Sequence, residues 1–136
     1  MSRRIDHVAI IVRNIEQALV FYHDTLGIAP REIKEVPGEQ VRIAFLPLGG
    51  PGGSEIELIE PTTSDSHLAR FLEKRGEGLH HICLEVESIN TVLQEMQEKG
   101  APLLDKQPRV AAEGNAIFLH PQGTNGVLLE LLEKLH

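Results

Sequence analysis

The sequence predicts an α+β fold in which one βαβββ module occurs twice. Three observations carry that prediction: the chain repeats itself, each copy opens with an apolar strand and a capped helix, and glycine turns fall at matching places. Ile5 to Val12 (IDHVAIIV) resembles Leu79 to Val86 (LHHICLEV), with His7 over His81 at an offset of 74. Further on, Ile43 to Leu46 (IAFL) lies over Ala116 to Leu119 (AIFL), and Ile56 to Glu60 (IELIE) over Leu129 to Glu133 (LELLE), at an offset of 73. A single one-residue deletion reconciles the copies, and a fixed internal period decides architecture before any local signal does. Module one is expected at about 4–61, a linking helix at about 64–75 and module two at about 78–134.

In order along the chain, residues 7–12 form a continuous apolar run rich in β-branched residues, as in a strand covered on both faces. Asn14 is a good helix N-cap with Gln17 three residues on, and Gly27 a good left-handed terminator. Between them Ile15, Ala18, Leu19, Tyr22 and Leu26 make one apolar stripe. Strands are expected near 31–36, 40–47 and 54–60, with Gly49 to Gly53 as the turn before the last. In the linking helix Leu68, Phe71 and Leu72 are apolar, and Gly76 is the stop. Module two repeats the plan: Ser88 caps, Ile89, Val92, Leu93 and Met96 form the stripe, and Gly100 ends it. Its further strands are expected near 103–106, 108–112 with 115–120, and 126–133, with Gly123 to Gly126 as the matching turn.

At 136 residues the chain fits a single domain, 1–136, too short for two independent cores. It is 41% apolar and 24% charged, ordinary for a globular protein. A formal charge of −7 without a basic patch argues against nucleic acid as a partner. No apolar run approaches the ~20 residues of a membrane span. The opening MSRRIDHV lacks the apolar stretch of a secretory signal, and the lone Cys83 fits a reducing compartment, so a cytoplasmic location is expected.

Strand side chains alternate between faces. His7, Ala9 and Ile11 therefore share one face, while Val8, Ile10 and Val12 pack the other. Glu57 lies between Ile56 and Leu58, and Glu130 between Leu129 and Leu131. Four ligand-capable side chains, His7, Glu57, His81 and Glu130, thus interrupt apolar strands at equivalent places in both copies. A single strand histidine is usually a satisfied core residue. A glutamate among leucines is harder to explain, because burying it unpaired costs several kcal/mol. Two imidazoles and two carboxylates suit a borderline divalent ion with open coordination positions. His80 faces away from His81, and the repeat selects His81. His23 and His67 read as solvated helix residues, and Cys83 as a small buried hydrophobe. His120, closing a strand, is a substrate-contact candidate; Asn125 is a turn residue first and a substrate contact second.

These modules and their ligands resemble the vicinal oxygen chelate superfamily, which includes glyoxalase I, extradiol dioxygenases and drug-resistance binding proteins. The resemblance covers residues 5–135 and implies a cupped mixed sheet around one metal, with helices outside. More narrowly, the chain resembles the methylmalonyl-CoA epimerase family through the segments at 41–49 (VRIAFLPLG), 76–83 (GEGLHHIC) and 118–121 (FLHP) leading into 126–130 (GVLLE). The resemblance implies His7, Glu57, His81 and Glu130 as metal ligands. It implies cobalt first among divalent ions, with manganese, nickel, zinc or magnesium as alternatives, and a homodimer acting on methylmalonyl-CoA. That family carries an acid followed by Gln-Gly-Val before the third strand; here the segment is Val36-Pro-Gly-Glu-Gln-Val41, in which Glu39 sits one place late. Glu39 and Glu130 are the implied acid–base pair for α-proton transfer. A glyoxalase I-like lyase and a metal-free resistance-type binding protein are the alternative readings.

Overall fold

The computed structural model describes residues 2–135, with side chains from Arg4 onward; His136 lies outside the described residues. Eight strands and three α-helices follow one another as two βαβββ modules joined by a helix. Module one contains β1 (Ser2–Ile11), α1 (Ile15–Leu19), β2 (Glu32–Val36), β3 (Val41–Pro47) and β4 (Glu55–Pro61). Helix α2 (His67–Arg75) links it to module two: β5 (Gly78–Val86), α3 (Ile89–Glu98), β6 (Arg109–Val110), β7 (Gly114–Leu119) and β8 (Leu129–Lys134).

The chain divides into two compact units, His7–His80 and Met1–Asp6 with His81–His136. In the first, the strand order is β2-β3-β4-β1, with β1 parallel to β4 and the other pairs antiparallel. The second has the order β5-β8-β7-β6, again with its first and last strands parallel. A parallel pair needs a long crossover, and in each module the helix and the two intervening strands supply it.

Each unit buries its helix stripe on one sheet face. Val12, Ile15, Ala44, Leu46 and Leu58 form the first core, with Ile10, Ala18, Leu19 and Tyr22 packed against it. Val86, Ile89, Val92, Leu93, Ile117, Leu119 and Leu131 form the second, flanked by Met96 and Leu103. The helix starts are fixed twice. Asn14 and Ser88 cap as expected, accepting from Gln17 N and Thr91 N. In addition, Glu60 on β4 accepts from Ile15 N at 2.9 Å, and Glu133 on β8 from Ile89 N at 2.8 Å. A carboxylate at the first turn satisfies an orphan N–H and complements the helix dipole.

Five expectations differ from the structure. Beyond Leu19 the helix widens over Val20–Thr25, with Leu26 N donating to Phe21 O. A wider turn advances fewer degrees per residue, so the stripe falls behind, and Leu26, Phe21 and Val20 are exposed. The linking helix starts at His67 rather than 64, because Ser66 is the residue that caps it. Residues 103–106 form no strand beyond a lone bridge from Leu103 to Leu119. Asp105 explains this: its carboxylate accepts from Phe118 N at 2.7 Å, taking the donor that a strand partner would have used. The strand expected at 108–112 is reduced to Arg109–Val110, and the last strand begins at Leu129 rather than 126.

Candidate metal centre

The side chains opposite each helix carry the polar residues. In the first unit Ala9 is the register partner of Glu57, and His7 lies two residues earlier on the same face. In the second unit Cys83 is the partner of Glu130, and His81 again lies two residues earlier. The repeat is thus obeyed to the residue in strand register.

Both pairs are closed. His7 Nδ1 lies 3.1 Å from Glu57 Oε2, and His81 Nε2 lies 3.0 Å from Glu130 Oε1. All four side chains are buried, between 3% and 8% exposed. Each glutamate also faces a phenylalanine across the antiparallel ladder, Phe45 opposite Glu57 and Phe118 opposite Glu130. An imidazole and a carboxylate held together in an apolar setting satisfy one another. They remain the donor types that a borderline divalent ion prefers. His81 and Glu130 are among the buried groups whose ligand atoms are close enough to share an ion.

The other expected residues occupy different settings. Glu39 is exposed, in the tight turn Pro37–Glu39 between β2 and β3. Gln40 follows at φ 58°, a left-handed conformation suited to glycine, just where the family pattern has Gly before Val. Val41 pairs with Pro61 and Phe45 with Glu57, so the turn stands four residues along β3 from the level of Glu57, roughly 13 Å at strand rise. Half-buried His120 follows β7 and accepts from Gln122 N through Nδ1 at 3.1 Å. That bond puts the proton of the neutral ring on Nε2, which is left as a donor. Asn125 is exposed in the turn at φ 61°. His80 points away from His81, with its ring 4.8 Å from that of Phe71. Cys83 packs fully buried with Ala116 and Leu132.

Sequence reasoning did not single out the aromatic residues at the site. Phe45 lies under the Arg31 guanidinium at 4.4 Å and Phe118 under Arg109 at 5.0 Å. The signal was present: the IAFL and AIFL segments align the two phenylalanines at the repeat offset. Away from these residues, Arg42 pairs with Glu16 at 2.6 Å and Glu60 at 3.3 Å. The hydrogen bond from Arg42 holds the Glu16 carboxyl below its ordinary 4.5.

Fold and donor set together define a metalloenzyme-like member of one superfamily, and the family comparison agrees. Residues 6–118 match the family model described as Glyoxalase/Bleomycin resistance protein/Dioxygenase superfamily. The ethylmalonyl-CoA/methylmalonyl-CoA epimerase of Cereibacter sphaeroides is 39% identical over 134 residues, covering 96% of this chain and 98% of that protein. The mitochondrial methylmalonyl-CoA epimerase of Bos taurus is 38% identical over 130 residues, 94% of this chain and 73% of that protein. A variant of the Streptomyces coelicolor methylmalonyl-CoA epimerase, solved in complex with 2-nitronate-propionyl-CoA, superposes with a TM-score of 0.93 at 31% identity, covering 100% of both chains. The chain belongs to the methylmalonyl-CoA epimerase family of this superfamily, and is an enzyme of the epimerase class.

Proposed function

We propose that the protein interconverts (R)- and (S)-methylmalonyl-CoA with the help of one divalent ion held by His7, Glu57, His81 and Glu130. The observation that carries this reading is the pair of buried His–Glu contacts, at 3.1 and 3.0 Å, in the same register of both modules. Two neutral imidazoles and two carboxylates would balance the charge of such an ion. When bound, the ion supplies Lewis acidity at the thioester and carboxylate oxygens of the substrate, which makes the intervening C–H more acidic.

The protein's own groups then have two tasks. Inversion requires a proton to leave one face of the α-carbon and another to arrive on the opposite face. Glu39 and Glu130 are assigned these roles, with Glu130 serving both as ligand and as proton carrier. Glu130 is buried between Phe118 across the ladder and the His81 imidazole at 3.0 Å. Glu39 sits on an exposed turn, so its role requires that turn to approach the substrate. His120 offers its Nε2–H as a substrate donor, and Asn125 flanks it in the following turn.

The same reading takes residues 1–136 as one vicinal-oxygen-chelate domain that works as a cytoplasmic homodimer. Cobalt is the first expectation for the ion, with manganese, nickel, zinc or magnesium as the alternatives. The decisive experiment is a coupled assay of purified protein on (S)-methylmalonyl-CoA, before and after chelation and after Co2+ is restored. Activity that is lost and then regained supports the reading. Turnover of a glutathione hemithioacetal without epimerisation overturns it. For the acid–base pair, Glu39→Gln should slow epimerisation by ~100-fold; wild-type rates of both epimerisation and α-proton exchange with heavy water acquit Glu39.

A further inference from the structure

His81, which is a ligand on the metal reading above, is held by its packing as well as by its acid. His81 is bonded to Glu130 through one nitrogen, at 3.0 Å. The ring is also packed against an aromatic neighbour. The packing comes from Phe118, whose ring centroid is 5.6 Å from that of His81 at an interplanar angle of 83°. Edge-to-face aromatic pairs prefer this separation and orientation.

Phe118 is itself held from two sides by the same acid. Asp105 Oδ2 accepts from Phe118 N at 2.7 Å. Asp105 Oδ1 accepts from Arg109 Nε at 3.0 Å and from the neighbouring guanidinium nitrogen. The Arg109 guanidinium then covers the Phe118 ring at 5.0 Å. Asp105 is only 9% exposed, whereas Arg109 is 52% exposed. A well-buried acid thus ties down both the backbone of Phe118 and the cation that shields its ring.

The other unit has reached the same stack by a different route. Arg31 covers Phe45 at 4.4 Å, and its Nε donates to Glu55 Oε2 at 2.5 Å. The two phenylalanines are 73 residues apart, matching the repeat, but the two arginines are 78 apart and their acids come from different elements. A stack rebuilt from non-equivalent positions is not a simple remnant of duplication. We propose that Phe118, clamped by Asp105 and Arg109, is a positioning residue that fixes the orientation of the His81 imidazole for metal binding.

The test uses the full-length protein and the variants Phe118→Leu, Phe118→Tyr and Arg109→Met, with two readouts. In metal-free protein, the His81 imidazole 1H–15N signals, assigned through His81→Gln, should form one sharp set in wild type and in Phe118→Tyr. They should broaden or split in Phe118→Leu and Arg109→Met. In titrations with Co2+ alone, the leucine and methionine variants should bind ~10-fold more weakly, and the tyrosine variant should retain wild-type affinity. Wild-type His81 signals and Co2+ affinity in a folded Phe118→Leu protein would overturn the proposal. Should that variant not fold, Arg109→Met decides it on the same readouts, since its half-exposed side chain leaves the core intact. Should wild type take up no Co2+, the metal reading fails by itself, while the metal-free signals still decide whether Phe118 orients His81.

Discussion

Single side chains set the chemistry. Among the six described histidines, His7 and His81 were separable in the sequence because a repeat aligned them, not because of their neighbours. His80 adjoins His81 yet stacks on Phe71, and His23 and His67 are exposed. The glutamates were legible for the complementary reason that an acid between two apolar strand residues needs a partner. Glu39 was not legible to the same degree, because a turn residue carries no periodicity to fix its register. His7→Ala and His81→Ala should each abolish stoichiometric metal uptake, read by elemental analysis of protein dialysed against Co2+, while far-ultraviolet circular dichroism stays that of wild type. At the surface, Arg42 depresses the Glu16 carboxyl. The Glu16–Arg42 contact therefore stabilises the fold above pH 4.5, the ordinary value, and that contribution is lost as pH falls through the lower folded value. In Arg42→Ala, the Glu16 side-chain carbon resonance should titrate back near 4.5.

Elements were predicted well where periodicity and caps agreed, and poorly where a side chain competed with the backbone. Asn14 and Ser88 each stand at a helix start. The π-type widening after Leu19 left no local mark, since its residues continue an ordinary apolar stripe. Asp105 replaced a strand by a bond from its side chain, which no alternation of apolar residues reveals. The capping carboxylates Glu60 and Glu133 were hidden differently: they act on helices 45 and 44 residues away in sequence. Glu133→Ala should cost ~1–3 kcal/mol in urea denaturation, with hydrogen exchange accelerating first at the amides of Ile89 and its neighbours. Ile15→Ala, at a fully buried position of the first core, should cost ~2–5 kcal/mol by the same measurement.

At the scale of the whole chain, repetition was the most legible feature. It foretold the order of elements and the equivalent placement of a histidine and a glutamate in each module. What it did not foretell is that the compact units cut across the modules. Residues before His7 count with the second unit, where Asp6 is 2% exposed and its Oδ1 lies 3.2 Å from Arg4 and 3.0 Å from Lys134. Arg4 also reaches Glu85 at 2.9 Å. Asp6→Ala leaves two cations facing each other without their shared acid and should cost ~3 kcal/mol. Exchange protection should fall along the last strand, Leu129–Lys134, near the opposite end of the chain from the substitution.

Because Asp6 meets Lys134 as well as Arg4, one buried acid ties together segments 128 residues apart in sequence. A polypeptide cut short of Lys134 keeps only the nearer of the two cations beside Asp6.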